Sequence, residues 1–205
     1  MFGKVASDML GLSDIGSVIK PADYDKVDAD DYILHEENER IFFLIKSKAD
    51  EYCFTNRALV HLDGASAASK KRTLRRMEYR SNKISEVFLE TAGTVDLDVE
   101  IKFKMGNTAY SIDVHKKHLE ELKGLYKALI KIAEINKESH QALEYAKQSL
   151  QMASATLGNM RSTEGSLSEE FKKVNQTAFS WLMDTKKQYS IKDFGYVFEK
   201  YINNL

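Results

Sequence analysis

A chain of 205 residues is long enough for one large domain or for one domain with an appendage, and a hydrophobic content of 43% can fill a core, which excludes global disorder. Charged residues make up 30% and cancel to a net charge of −1, so the chain as a whole is not a general nucleic-acid binder. The single cysteine, Cys53, excludes an internal disulfide framework. Inside an apolar run it reads as a small packed hydrophobe in a reducing compartment.

The opening stretch MFGKVASDMLGL has an early lysine but also Asp8 and no continuous apolar core, unlike a secretory signal. Phe2, Val5, Met9 and Leu10 share one face of a short helix, with Gly11 as its stop, and that face is expected to dock on the core. No stretch approaches the ~20 apolar residues of a membrane span. The expected location is cytoplasmic, at most peripheral at a membrane. Behind Pro21, residues 23–39 hold eight acids and one lysine, a net of −7, and read as a solvated linker or sheet edge.

A period of two and short apolar runs follow. Residues 41–45, 52–55 and 58–62 predict three strands, with 48–51 as a turn. Asn56-Arg57 fits the two-residue loop of a tight hairpin, with Asn56 in a left-handed conformation and Arg57 directed to solvent or a neighbouring acid. After the small, flexible ASAAS stretch, strands are predicted at 74–79 and 84–91. DLDVEIKFK alternates cleanly, with Leu97, Val99, Ile101 and Phe103 facing in. Gly106-Asn107 is a second hairpin turn, and Tyr110, Ile112 and Val114 mark the last strand. Seven short antiparallel strands predict a sandwich or barrel.

The period turns helical after His115. Leu119, Leu122, Tyr126, Leu129 and Ala133 form one stripe, widened by Leu125, Ile132 and Ile135, and helix formers run on to Leu157 before Gly158. A helix of that length, ~63 Å at 1.5 Å per residue, is too long for one small barrel to bury. Ser166 to Glu169 reads as a capping box ahead of a second helix with Leu167, Phe171, Val174, Ala178 and Trp181 on its apolar face. Ser190 is expected to cap a short terminal helix carrying Phe194, Val197, Phe198 and Tyr201.

An apolar strand, then Phe54, Thr55, Asn56 and Arg57, then a strand ending at Asp63 resembles the bacterial pleckstrin-homology (PH) domain family, whose members carry a Phe-Thr-Asn-Lys/Arg hairpin there. Tyr79, Ile84, Gly93, Asp96 and Asp98 follow in similar order, and the resemblance covers residues 30–130. The segment after 130 resembles the helical oligomerisation extension of Bacillus-type members. The resemblance implies an α+β fold. A PH-like barrel of two orthogonal antiparallel sheets is capped by a helix (residues 1–131, capped from Lys116 to about Lys131), and a helical hairpin extension follows at 132–205. It implies assembly into rings or other oligomers, with no assigned enzymatic activity. Eukaryotic relatives hold phosphoinositides with basic residues in the first strand–strand loop. Here that loop, residues 46–51, is short and mixed in charge.

The basic run of residues 70–83 carries Lys70, Lys71, Arg72, Arg75, Arg76, Arg80 and Lys83 against the one acid Glu78, a net of +6. Such a run serves as an edge strand that discourages edge-to-edge pairing, as a surface for acidic protein partners, or as a dock for anionic lipid. With the acidic 23–39 stretch it predicts a contact between the acidic segment of one copy and the basic segment of the next. His115, His118 and Glu121 share a helical register but more plainly mark a solvated strand–helix junction. No catalytic or metal constellation and no cofactor motif is visible. The expected function is a non-enzymatic interaction or scaffold module that self-associates through its helical extension, with a homo-oligomer and an unidentified protein as partners and no nucleic acid. The alternative is a peripheral membrane sensor binding anionic lipid through the basic run.

Overall fold

The computed structural model describes residues 15–64, 72–91, 98–158 and 167–202. The expected helix at Phe2 to Leu10, the ASAAS stretch, Leu97 and Ser166 lie outside them. The chain divides into two compact units, one holding the residues up to Glu134 together with those from Lys192 on, the other Ile135–Ile191.

The first unit is built on two antiparallel sheets. Strands β1 (Ser17–Val18), β2 (Ile41–Lys46), β3 (Asp50–Thr55), β4 (Ala58–Asp63) and β5 (Thr73–Glu78) form one, in that order. Strands β6 (Ile84–Glu90), β7 (Asp98–Met105) and β8 (Thr108–His115) form the other. All seven expected strands are present with ends within two residues of the sequence reading, and β1 is an addition. Asp50 and Glu51 extend β3, which shortens the expected turn to the residues between β2 and β3. The loop Gly106-Asn107 joins β7 to β8 as expected, with Gly106 at φ +59°. Gly16 links the sheets: its N–H donates to the Asp113 carbonyl at 2.8 Å and its carbonyl accepts from the His115 N–H at 2.9 Å. A Cβ there would meet Ile45 Cγ2 at 2.7 Å, so only glycine permits this approach.

Strands β2 to β4 read as continuous apolar runs because both their faces are buried. Phe43 and Phe54 point toward the second sheet, where Phe54 meets Phe103 at 6.1 Å between ring centroids. Leu44, Cys53 and Val60 point the other way, into a cluster with Val27, Ala29 and Ile33. Those last three come from the acidic segment, which is therefore no solvated linker. It folds into three 3-10 turns, Pro21–Lys26, Asp28–Tyr32 and His35–Glu37, that lay a few apolar side chains on the sheet and leave most acids outside. The Ala29 N–H fastens it by donating to buried Glu51 at 2.7 Å.

A 3-10 turn at Lys116–His118 leads into α1 (Leu119–Gly158), one continuous helix of 40 residues. Its first half buries Leu122, Leu125, Ala128, Leu129 and Ile132, while Tyr126 and Ala133 are half-buried. The second unit holds the rest of α1 and α2 (Leu167–Tyr189).

The tail departs from a simple extension over 132–205. Helix α3 (Gly195–Tyr201) belongs to the barrel unit, where Phe194, Val197 and Phe198 are fully buried. Not Ser190 but Asp193 holds its start: Asp193 Oδ1 accepts from the Gly195 N–H at 2.8 Å.

Candidate interaction surfaces

The Phe54-Thr55-Asn56-Arg57 hairpin does form a two-residue loop, since Phe54 pairs with Leu59 and the flanking strands continue from there. Asn56, however, does not take a left-handed conformation. Among the described residues only Asn38 and Glu86 do so without being glycine. The turn closes differently. Thr55 Oγ1 accepts from the Arg57 N–H at 3.0 Å and the Ala58 N–H at 2.9 Å, and donates to Glu39 Oε1 at 2.5 Å. A hydroxyl that mimics a turn carbonyl removes the need for positive φ. Arg57 reaches the acidic segment, donating to the Glu37 carbonyl.

Asn56 is thereby freed for another task. Its side chain is buried, accepts from the Arg40 N–H at 2.8 Å, and donates to Asp193 Oδ2 at 2.6 Å and to the Asn38 carbonyl at 3.3 Å. Its backbone carbonyl accepts from the Phe194 N–H at 2.7 Å. Around it, Phe198 stacks on Phe42 at 5.5 Å and Phe194 meets Tyr79 edge-on at 5.8 Å. Arg40 pairs with Glu199 at 3.3 Å at the rim. The hairpin motif is a seat for the C-terminal tail.

The basic run is largely engaged within the chain. Arg72 pairs with Asp28, Arg75 with Asp63 at 3.3 Å, Arg76 with Glu39 at 3.0 Å, and Arg80 with Glu78 at 2.7 Å. Lys70 and Lys71 lie outside the described residues, and Lys83 sits in the turn before β6, its carbonyl accepting from the Gly106 N–H. The acidic and basic segments thus meet inside one copy, at Asp28–Arg72 and Glu39–Arg76, and the contact expected between copies is already made. Proximity explains it: β5 lies beside β4, and the 3-10 turns cover the same sheet.

The second unit has a different character. Apolar residues recur at three- and four-residue steps on both helices: Leu143, Ala146, Leu150 and Ala153 on α1, and Phe171, Val174, Ala178 and Trp181 on α2. This 3.5-residue period is the coiled-coil pattern of paired helices. Six of these side chains (Leu150, Ala153, Phe171, Val174, Ala178 and Trp181) line one open groove of about 850 Å³ between α1 and α2. Phe171 is 73% exposed and Trp181 42%. The α2 face is legible in sequence. What goes unread is the same spacing along α1, where small alanines alternate with leucines and weaken the stripe.

Residues 9–133 match the family model described as bacterial PH domain, and residues 144–204 match one described as YvbH-like oligomerisation region. The chain belongs to the bacterial PH domain family. It is 58% identical, over all of both chains, to a Bacillus subtilis (strain 168) protein called uncharacterized protein YvbH. It is 53% identical, at a TM-score of 0.85, to the crystal structure of a PH domain-containing bacterial protein from Exiguobacterium sibiricum 255-15, covering 92% of this chain and 100% of that one.

In this PH domain the strand–helix junction is polar. Among the described residues no three His, Cys, Asp or Glu side chains come together to hold an ion, and no helix is long and apolar enough to cross a membrane. His115 Nδ1 accepts from the Lys117 N–H at 3.1 Å, and His118 Nδ1 lies 3.2 Å from Glu121. Burial holds the His118 imidazole below its ordinary value. The Glu121 carboxylate opposes this, while Lys117 and His115 reinforce it. The folded state therefore binds fewer protons than the unfolded one around an ordinary histidine value of about 6.5. Stability from neutral His118 is complete above that value and is lost as pH falls through it toward the folded value. Urea unfolding at pH 7.5 and pH 5 should show a larger loss for the native chain than for His118→Asn; equal losses would remove His118 from the account. Cys53 is buried, and burial raises its thiol well above the ordinary value, so it is not poised for reaction.

Proposed function

We propose that the chain is a non-enzymatic interaction module that self-associates through the hairpin of residues 135–191. The observation that carries this reading is the open apolar groove: the paired-helix seams of α1 and α2 both face it, yet Phe171 is mostly exposed and Trp181 nearly half exposed. Exposed aromatic stripes of this kind mark association surfaces. A second copy is the fitting occupant, because an identical hairpin presents the same 3.5-residue seam and the region matches a family named for oligomerisation.

Light scattering at about 10 µM should give the mass of several chains. Trp181→Ala with Phe171→Ala should shift that mass toward a single chain without loss of helical circular dichroism, since both side chains are exposed in one copy. A native chain that runs as a monomer, or a double variant of unchanged mass, would end this reading. The membrane-sensor alternative loses most of its motive, because four of the seven cations are paired with acids. Lys83, with Lys70 and Lys71 that lie outside the described residues, stays a proposed surface for an outside partner.

A further inference from the structure

We infer that the seat around Asn56 receives the C-terminal tail of a second copy, so that associated chains exchange tails; this rests on the self-association proposed above. The tail is a self-contained ligand. Asp193 bonds to Asn56, Phe194 and Phe198 enter between Phe42 and Tyr79, and Val197 is buried beside them. Gly195 belongs to the recognised sequence as well: a Cβ there would lie 3.1 Å from Phe42 Cζ and 3.4 Å from Asn56 Cβ. The seat therefore reads an Asp-Phe-Gly-x-Val-Phe segment, by shape at the glycine and by hydrogen bonds at the aspartate.

These contacts are all made to the barrel unit, so they are the same whether the tail comes from its own chain or from another. The choice between the two is then set by effective concentration and by the connection. The connection is residues 190–194, which carry no regular structure between Tyr189 and Gly195 and can act as a hinge. Once hairpins associate, the neighbour's tail is tethered as well and its effective concentration reaches the millimolar range, where it competes with the chain's own tail. The match to the oligomerisation region points the same way. It runs from 144 to 204 and so contains two physically distinct parts, the hairpin and a tail that packs on a barrel. The second part contributes to assembly only when that barrel belongs to a neighbour.

The test places one cysteine on each side of the rim contact, Arg40→Cys and Glu199→Cys in the same full-length chain, and joins them with a short bismaleimide. The parent side chains meet at 3.3 Å, and native Cys53 is buried out of reach. On a denaturing gel, exchange gives a ladder of covalent multimers as more than half of the product. Cross-linked single chains as the main product would overturn the exchange. Reactive thiols that never join would overturn the seat itself. Light scattering on the same sample separates the two readings. A single-chain mass sinks the self-association and the exchange together, whereas a multimer containing only single-chain cross-links sinks the exchange alone.

Discussion

A chain ended at Ile191 should melt about 10 °C below the full-length protein and unfold at lower urea. The tail buries Phe194, Val197 and Phe198, and without it Phe42 and Tyr79 lose their ring partners while Asn56 loses the Asp193 carboxylate inside a buried site. Emptying such a seat costs on the order of 2–4 kcal/mol, and each kcal/mol moves the midpoint of a chain this size by about 2–4 °C. Phe198→Ala should cost nearly as much as the whole deletion, because a tail without its main anchor can detach and the cost then saturates. A cut after residue 131 removes Ile132 in addition to the tail, so that fragment should be less stable still, and 131 is a poor place to end the barrel. If the chain ended at Ile191 melts with the full-length protein, the tail is an ornament and its packing carries no stability.

The strands were legible because their burial leaves a pattern: β7 alternates as Val99, Ile101, Phe103 and Met105 go in, and β2 to β4 each carry a short apolar run because both faces are covered. What covered the outer face was not legible. The acidic segment shows eight acids and only Val27, Ala29 and Ile33 as its buried apolar contribution, too few for a periodic signal. Asn56 illustrates the same limit from the other side. Its residue type fits a left-handed turn, and local chemistry supports that expectation, but the neighbouring Thr55 hydroxyl closes the turn and a tail 137 residues away in sequence claims the amide. A partner so distant leaves no local trace. The groove in the hairpin is an intermediate case, with the Phe171 to Trp181 stripe visible and the alanine-diluted stripe of α1 not.

Glu39→Ala should be among the most damaging single substitutions in the barrel, costing about 3–5 kcal/mol. The Glu39 side chain is 0% exposed and gathers four polar contacts: the Thr55 hydroxyl at 2.5 Å, the Leu34 N–H at 3.0 Å, and Arg76 Nη2 to both oxygens at 3.0 Å. Its removal leaves the Arg76 guanidinium three-quarters buried without its partner and opens the hairpin that Thr55 closes. Arg76→Ala leaves the complementary problem, a buried carboxylate without its cation. Breaking one side of a buried pair costs more than replacing both sides by apolar groups of similar size, so Glu39→Leu with Arg76→Met should lose less than the two single changes added together. A double-mutant cycle by urea unfolding reads this directly, and additive losses would show that the pair is no unit. The same pair decides how the basic surface can be probed. Reversing Arg72, Arg75 and Arg76 together to glutamate, the obvious way to seek a contact between acidic and basic segments of neighbouring copies, would set a second carboxylate against buried Glu39. It should unfold the sheet before it says anything about assembly. Reversing Arg72 and Arg75 alone, whose side chains are more than 40% exposed, should lower the melting temperature by only a few degrees and leave the sheet folded, because exposed ion pairs contribute only ~0–1 kcal/mol each. That pair of changes, with Arg76 left in place, separates a surface role of the run from its structural one.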